Sequence, residues 1–167
     1  LISAITGARP RIADYPFTTL HPVLGTISLP DGGGIVIADI PGIIQGAHEG
    51  LGLGLDFLRH IERTRLLVYV IEISPHDPAL PPATFRDLQH EIRQYDAAIL
   101  ERPFLVALNK ADLLTGGDEK NLVRDWFLHE HPEIAPEAVR VISALTREET
   151  GALRDRITAL YQQEFGG

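Results

Sequence analysis

The chain has 167 residues, 44% of them hydrophobic, enough for one domain with a sizeable core. A net charge of -8, with scattered acids and no block of Lys or Arg, argues against direct binding of this piece to a nucleic-acid backbone. With no cysteine, no signal peptide and no apolar run approaching a membrane span, thiolate metal sites and disulfides are excluded and a cytoplasmic location is expected.

In chain order, "LISAITG" reads as a short helix ended by Gly7, followed by a loop, "ARPRIADYPFTTLHPVLG", that carries adjacent threonines at 18 and 19. The β-branched runs "GTISLP" and "GIVIADI", separated by "DGGG", predict a hairpin whose glycines supply the positive backbone angles of its turn. Then comes "DIPGIIQGAHEGLGLGLDF", residues 39–57, too rich in glycine for any single regular element. After it, "RLLVYVIEI" is a nearly continuous apolar run of the kind buried on both faces of a sheet.

From there strand and helix alternate. "ATFRDLQHEIRQYDAAIL" predicts a helix, "PFLVALNK" a strand, "EKNLVRDWFLHEH" a helix, "AVRVISAL" a strand and "LRDRITALYQQEF" a last helix. The four prolines of "SPHDPALPPAT" mark a loop inside the domain. The alternation indicates an α/β fold with a mostly parallel sheet.

Ligands of open α/β sheets bind beyond the carboxyl ends of the strands, so the residues after each strand are the candidates. At "NKAD", Asp112 can accept both the ring N–H and the exocyclic amino hydrogens of guanine, a match that adenine does not offer. Asn109 can tie this loop to its neighbours or to the base, and the aliphatic stem of Lys110 can lie over the purine face. The alternative is a simple turn capping the next helix. At "SAL", residues 143–145, Ser143 shapes a tight loop, the backbone N–H of Ala144 can donate to guanine O6, and Leu145 completes the motif. At "DIPG", Asp39 can hold a magnesium ion through water, while Pro41 and Gly42 form a turn at which a backbone N–H can approach a terminal phosphate. A strand-ending turn without ligand is the plainer reading there. Upstream, the Thr19 hydroxyl can ligate magnesium when a third phosphate is present, with Thr18 as the structural alternative.

The order "YPFTTL", "DIPG", "NKAD", "SAL" resembles the guanine-nucleotide-binding domain of translation-factor-type GTPases. The longer stretches "RPRIADYPFTTLHPVLG" and "ADIPGIIQGAHEGLGLGLDFLRHIERTR" are similar to the bacterial Obg family. The resemblance covers nearly the whole chain. It implies an OBG-type G domain over residues 1–167 with a Ras-like P-loop GTPase fold, one antiparallel hairpin strand in an otherwise parallel sheet, GTP and GDP as ligands and Mg2+ as cofactor. It further implies a role in assembly of the large ribosomal subunit, reached through domains outside this chain, and in growth or stress control. The competing class is a non-catalytic nucleotide-binding or protein-interaction module.

Two departures bear on these expectations. The family's phosphate-binding loop and the strand before it should stand immediately before Leu1, and the chain contains no methionine, so it reads as an N-terminally truncated piece. Its own nucleotide affinity is then expected to be weak, and the sheet is expected to show a gap. In Ras-like enzymes a glutamine follows the "DxxG" glycine, whereas here Ile43 does, a replacement the Obg family shares. No catalytic residue is assigned, with Gln45, His48 and Glu49 as candidates. The glycines at 50, 52 and 54 lack dinucleotide spacing, and their place after "DIPG" marks a switch segment. His129 and His131 suit a fraying helix end better than a zinc site, and Trp126 is expected to pack.

Overall fold

The computed structural model describes residues 1–6, 11–12, 23–30, 32–39 and 64–166. They form two compact units, one built from Leu66–Asp87 and Pro103–Gly167, the other from Ile2–Arg65 and Leu88–Arg102.

The second unit begins with helix α1 (Ile2–Thr6) and holds an antiparallel sheet in the order β1 (Arg11–Ile12), β2 (Val23–Ser28), β3 (Gly34–Asp39). The predicted hairpin is present: Val23 pairs with Asp39 and Ser28 with Gly34, and Gly32 takes the left-handed backbone of its turn, φ 87°. Leu29 N–H closes the turn on Gly33 O at 2.8 Å. A Cβ on Gly25 would stand 2.6 Å from the Cγ2 atoms of both Ile2 and Thr6, so glycine is what lets α1 lie against β2. The pair β1, bonded to β2 through Arg11 and Ile12, falls inside the segment read as a loop; two residues carry too little periodicity to announce a strand.

The first unit is a parallel sheet, β4 (Leu67–Glu72), β5 (Phe104–Asn109), β6 (Val139–Val141), with helices α2 (Leu80–Tyr95), α3 (Gly117–Glu130) and α4 (Thr150–Phe165). Helix α2 divides between the units after Asp87. Leu105 to Leu108 on the central strand are all fully buried, as an apolar run with a neighbour on each side requires. Strand β4 differs from its expected burial on both faces. Tyr69 and Ile71 face the core, whereas Val70 is 44% exposed and Glu72 lies in solvent. Among the described residues, β3 and β4 each end their sheet, with a hydrogen-bonded neighbour on one side only.

The core of this unit is aromatic. Phe85 of α2 meets Tyr69 and His131 edge-on at 4.9 Å and Phe127 of α3 at 5.6 Å, geometries favoured by the ring quadrupoles. Burial pushes the Tyr69 phenol up to about 12.

Four expectations are corrected here. The segment "SPHDPALPPAT" is not wholly a loop: α2 starts at Leu80, and Pro81 and Pro82 sit in its first turn, where a missing N–H removes nothing. Asp77 prepares that start by accepting from Ala79 N–H at 3.1 Å. The same helix ends earlier than predicted, at Tyr95, because the Asp96 carboxylate accepts from Ala98 N–H at 3.0 Å and begins a separate 3-10 turn, Ala97–Glu101. His131 is no fraying end. It is 4% exposed, with Nδ1 at 3.2 Å from Glu133 and Nε2 at 3.3 Å from Pro82 O. Trp126, expected to pack, is 45% exposed and packs only at the surface, stacking on His129 at 6.1 Å.

Candidate functional site

Strands β5 and β6 are parallel neighbours, so the residues that follow them emerge side by side. The sheet ladder continues past the strands into hydrogen bonds between the two loops. Ile142 N–H donates to Leu108 O at 2.8 Å, and Ala111 N–H donates to Ile142 O at 3.0 Å. "NKAD" and "SAL" are therefore held in register by backbone alone.

Side chains then cross between them. The Ser143 hydroxyl, fully buried, donates to Asp112 Oδ1 and accepts from Thr146 N–H at 3.1 Å. Asn109 Oδ1 accepts from Ala144 N–H at 2.9 Å. Each short polar side chain of one motif is thus fixed by the other motif. Asp112 itself remains exposed, and Ser143 uses one of the carboxylate's roughly four lone-pair directions.

Lys110 makes this geometry possible at a local cost. Its backbone is left-handed, φ 75° and ψ 36°, an uncommon state for a residue with a Cβ. The bend turns the chain from β5 into the short turn Ala111–Leu113, so that Asn109 and Asp112 come to the same end of the sheet. Its ammonium reaches Glu72 at 2.5 Å. Sequence reasoning missed Glu72; the signal was the strand register, which sets Glu72 directly opposite Asn109. It missed Glu148 too, whose carbonyl accepts from Ser143 N–H at 3.1 Å and whose carboxylate pairs with Lys120. The loop from Ser143 to α4 includes two more left-handed residues, Arg147 at φ 66° and Glu149 at φ 57°.

The remaining candidates divide by location. Leu145 is 82% exposed at the loop tip, an apolar side chain standing open beside the Asp112 carboxylate's loop. Asp39 closes β3 in the other unit with its side chain exposed. Thr18, Thr19, Pro41, Gly42, Ile43, Gln45, His48 and Glu49 lie outside the described residues. The structure therefore brings together Asn109, Lys110, Asp112, Ser143 and Ala144, with one departure from expectation: the Ala144 N–H already has an acceptor in Asn109. To donate to a base it must share or exchange that bond.

Chemically, the cluster is an exposed carboxylate, oriented by a buried hydroxyl, beside a backbone N–H and an amide. It sets acceptors and a donor side by side, groups that a ligand with a matching donor–acceptor pattern can engage.

Comparison with known proteins bears on the family and the fold. The model of a family described as 50S ribosome-binding GTPase matches residues 1–110. GTPase Obg of Limosilactobacillus reuteri is 44% identical over 153 residues, 89% of this chain and 34% of that protein. GTPase Obg of Synechocystis sp. is 55% identical over 116 residues, 70% of this chain and 31% of that protein. The chain thus spans about a third of the length of the curated relatives it matches. Among solved structures, Era of Aquifex aeolicus bound to GDP.AlF4- superposes with a TM-score of 0.64 at 21% identity, over 95% of this chain and 50% of that one. The G domain of the T. maritima FeoB iron transporter gives 0.62 at 22% identity, over 96% of this chain and 88% of that one. These two establish a shared P-loop GTPase fold. Taken with the family match and the Obg relatives, they show that the chain belongs to the 50S ribosome-binding GTPases, in their Obg branch.

Proposed function

We propose that this chain is the guanine-nucleotide-binding part of a switch protein that hydrolyses GTP to GDP and phosphate. The observation that carries the reading is the pair of crossed hydrogen bonds, Ser143 to Asp112 and Ala144 to Asn109. They lock an exposed carboxylate in place at the carboxyl end of a parallel sheet, where a helix cap would need no such support. In this reading Asp112 accepts from the guanine ring N–H and amino group. The Ala144 N–H donates to O6, Asn109 steadies the two loops, and the Lys110 stem covers one face of the base with its ammonium held by Glu72. Leu145 covers the edge left open.

Magnesium fits the donor set. Asp39 presents an exposed hard carboxylate at a strand end, and the Thr19 hydroxyl is the second protein donor in this proposal. When bound, the ion supplies neutralisation of phosphate charge. Gly42 marks the presence of the third phosphate, and the glycines at 46, 50, 52 and 54 allow the following segment to rearrange when it leaves. Ile43 cannot orient a water, so the intrinsic hydrolysis of the parent is slow and help comes from an ion, a partner or the loop. By its family the parent acts on the large ribosomal subunit, through domains other than this one.

The test is Asp112→Asn in the full-length parent, read by competition of GDP, XDP and ADP. An amide replaces one acceptor, so a guanine donor faces a donor, costing about 1–3 kcal/mol, while xanthine's carbonyl gains a partner. The variant should prefer XDP. An unchanged preference for GDP would show that the base is read elsewhere. Phosphate release from GTP by the parent distinguishes a hydrolase from a module that binds without cleaving.

A further inference from the structure

Helix α3 carries a surface that the nucleotide site does not use. Leu122 is 68% exposed and Trp126 45% exposed, one turn apart on the helix, and His129 stacks on the Trp126 ring at an interplanar angle of 26°. Asp118 and Asp125 lie four residues before and three after Leu122, on the same face, and both are exposed. The helix's two long cations point away from that face. Lys120 pairs with Glu148, and Arg124 donates to Pro136 O at 2.7 Å and to Val139 O at 3.4 Å. The outer face is left with an apolar ridge, an aromatic anchor braced by an imidazole, and carboxylates. Glu119 and Glu130 flank the ridge on its other side; Glu119 is turned to Thr115, whose backbone N–H and hydroxyl lower its carboxyl below the usual range, and Glu130 meets Arg86 at 3.6 Å.

We propose that this face of α3 is a docking surface for a basic amphipathic protein segment, one that seats an apolar side chain between Leu122 and Trp126 and places Lys or Arg beside Asp118 and Asp125. The charge pattern selects this occupant. Nucleic acid or an anionic lipid surface would bring phosphates against the carboxylates. A second copy joined through a two-fold axis would set the same acidic face against itself. A basic segment with apolar anchors satisfies both features at once, and rigid aromatic side chains are the usual anchors of such interfaces.

Trp126 is the only tryptophan of the chain, so it reports on its own occupancy. The experiment titrates the chain with a 16-residue Lys/Leu amphipathic helix, following Trp126 emission at two salt concentrations. The Glu/Leu counterpart, poly-lysine and a 20-nucleotide RNA serve as comparison probes. Saturable blue-shifted emission with the Lys/Leu helix, weakened by salt, is expected. Leu122→Ser and the pair Asp118→Asn, Asp125→Asn should each raise its dissociation constant at least tenfold with the circular dichroism spectrum unchanged. Equal response to the Glu/Leu peptide overturns the charge half of the proposal, and equal response to poly-lysine overturns the apolar half. Variants that bind like the parent place the segment elsewhere. An RNA titration abolished by Leu122→Ser, or a concentration-dependent dimer abolished by Trp126→Ala, replaces the proposed occupant with nucleic acid or a second copy.

Discussion

Replacing Ser143 by alanine removes a hydroxyl that is buried, donates to Asp112 and accepts from Thr146 N–H. The two losses differ in weight. A hydrogen bond to a charged group contributes about 1.5–3 kcal/mol, whereas the Thr146 N–H belongs to an exposed residue and recovers water in place of Ser143, so its loss adds about 0.5 kcal/mol at most. The Asp112 carboxylate is also exposed and can be rehydrated, which brings the net cost to the lower end, about 1.5–2 kcal/mol. In the free protein this is a stability loss, read as a lower urea midpoint with unchanged slope. In the proposed complex the same bond serves a second purpose, because a carboxylate that is no longer oriented must be ordered by the base. The GDP dissociation constant of the full-length parent should then rise about tenfold, equivalent to ~1.4 kcal/mol. Isothermal titration of parent and Ser143→Ala with GDP measures it, and the double variant with Asp112→Asn should show little further effect of the serine. A GDP affinity within twofold of the parent, together with the expected fall in urea midpoint, would refute the reasoning: the bond would be structural and Asp112 would not touch the base.

Alkali should expose the Tyr69 phenol. Its pKa rises from 10.0 to about 12 in the fold, so the unfolded chain ionises first; this contribution is complete below pH 10 and is lost as pH rises through 12. The loss should approach ~2 kcal/mol in denaturant titrations at pH 9 and pH 12, and Tyr69→Phe should lose that much less over the same interval. Glu72→Gln frees an ammonium whose partners are both about half exposed, so stability should change by under about 0.5 kcal/mol while GDP affinity falls by up to about threefold; a larger stability effect would mean the pair holds the strained Lys110 backbone. Gly25→Ala forces a Cβ to 2.6 Å from Ile2 and Thr6 and should cost about 1–3 kcal/mol, outweighing the gain of a better strand residue; an unchanged urea midpoint would show that α1 yields freely.

Much of the fold was legible because its periodicities are long. The hairpin around Gly32, the strand at Leu105 to Leu108 and the helices α3 and α4 after it follow from alternation and punctuation alone. What escaped was set by short-range polar chemistry or by burial. Asp96 cut a helix that apolar spacing would have continued, and Asp77 started one earlier than its prolines suggested. Trp126 is more exposed and His131 more buried than expected, because helical spacing does not say which side of α3, or of the residue that caps it, faces the body of the unit. At the candidate site, motif order picked out Asn109, Asp112, Ser143 and Ala144 as candidates, but not their mutual bonding. It depends on the parallel register of β5 and β6 and on the left-handed turn at Lys110, which no local sequence preference announces.

The two sheets also imply two clocks. In the hairpin, Ser28 pairs with Gly34 across a turn of a few residues, a closure of the kind completed in microseconds. In the parallel sheet no such shortcut exists: Leu67 must find Phe104, and Val106 must find Val139, across whole crossovers, and the chain entropy of those loops is lost before any pairing rewards it. The loops that meet at Asp112 and Ser143 lie at the end of the later step. The pocket proposed to read the base is thus expected to form after the hairpin, and a ligand that requires it should act on the slow phase alone.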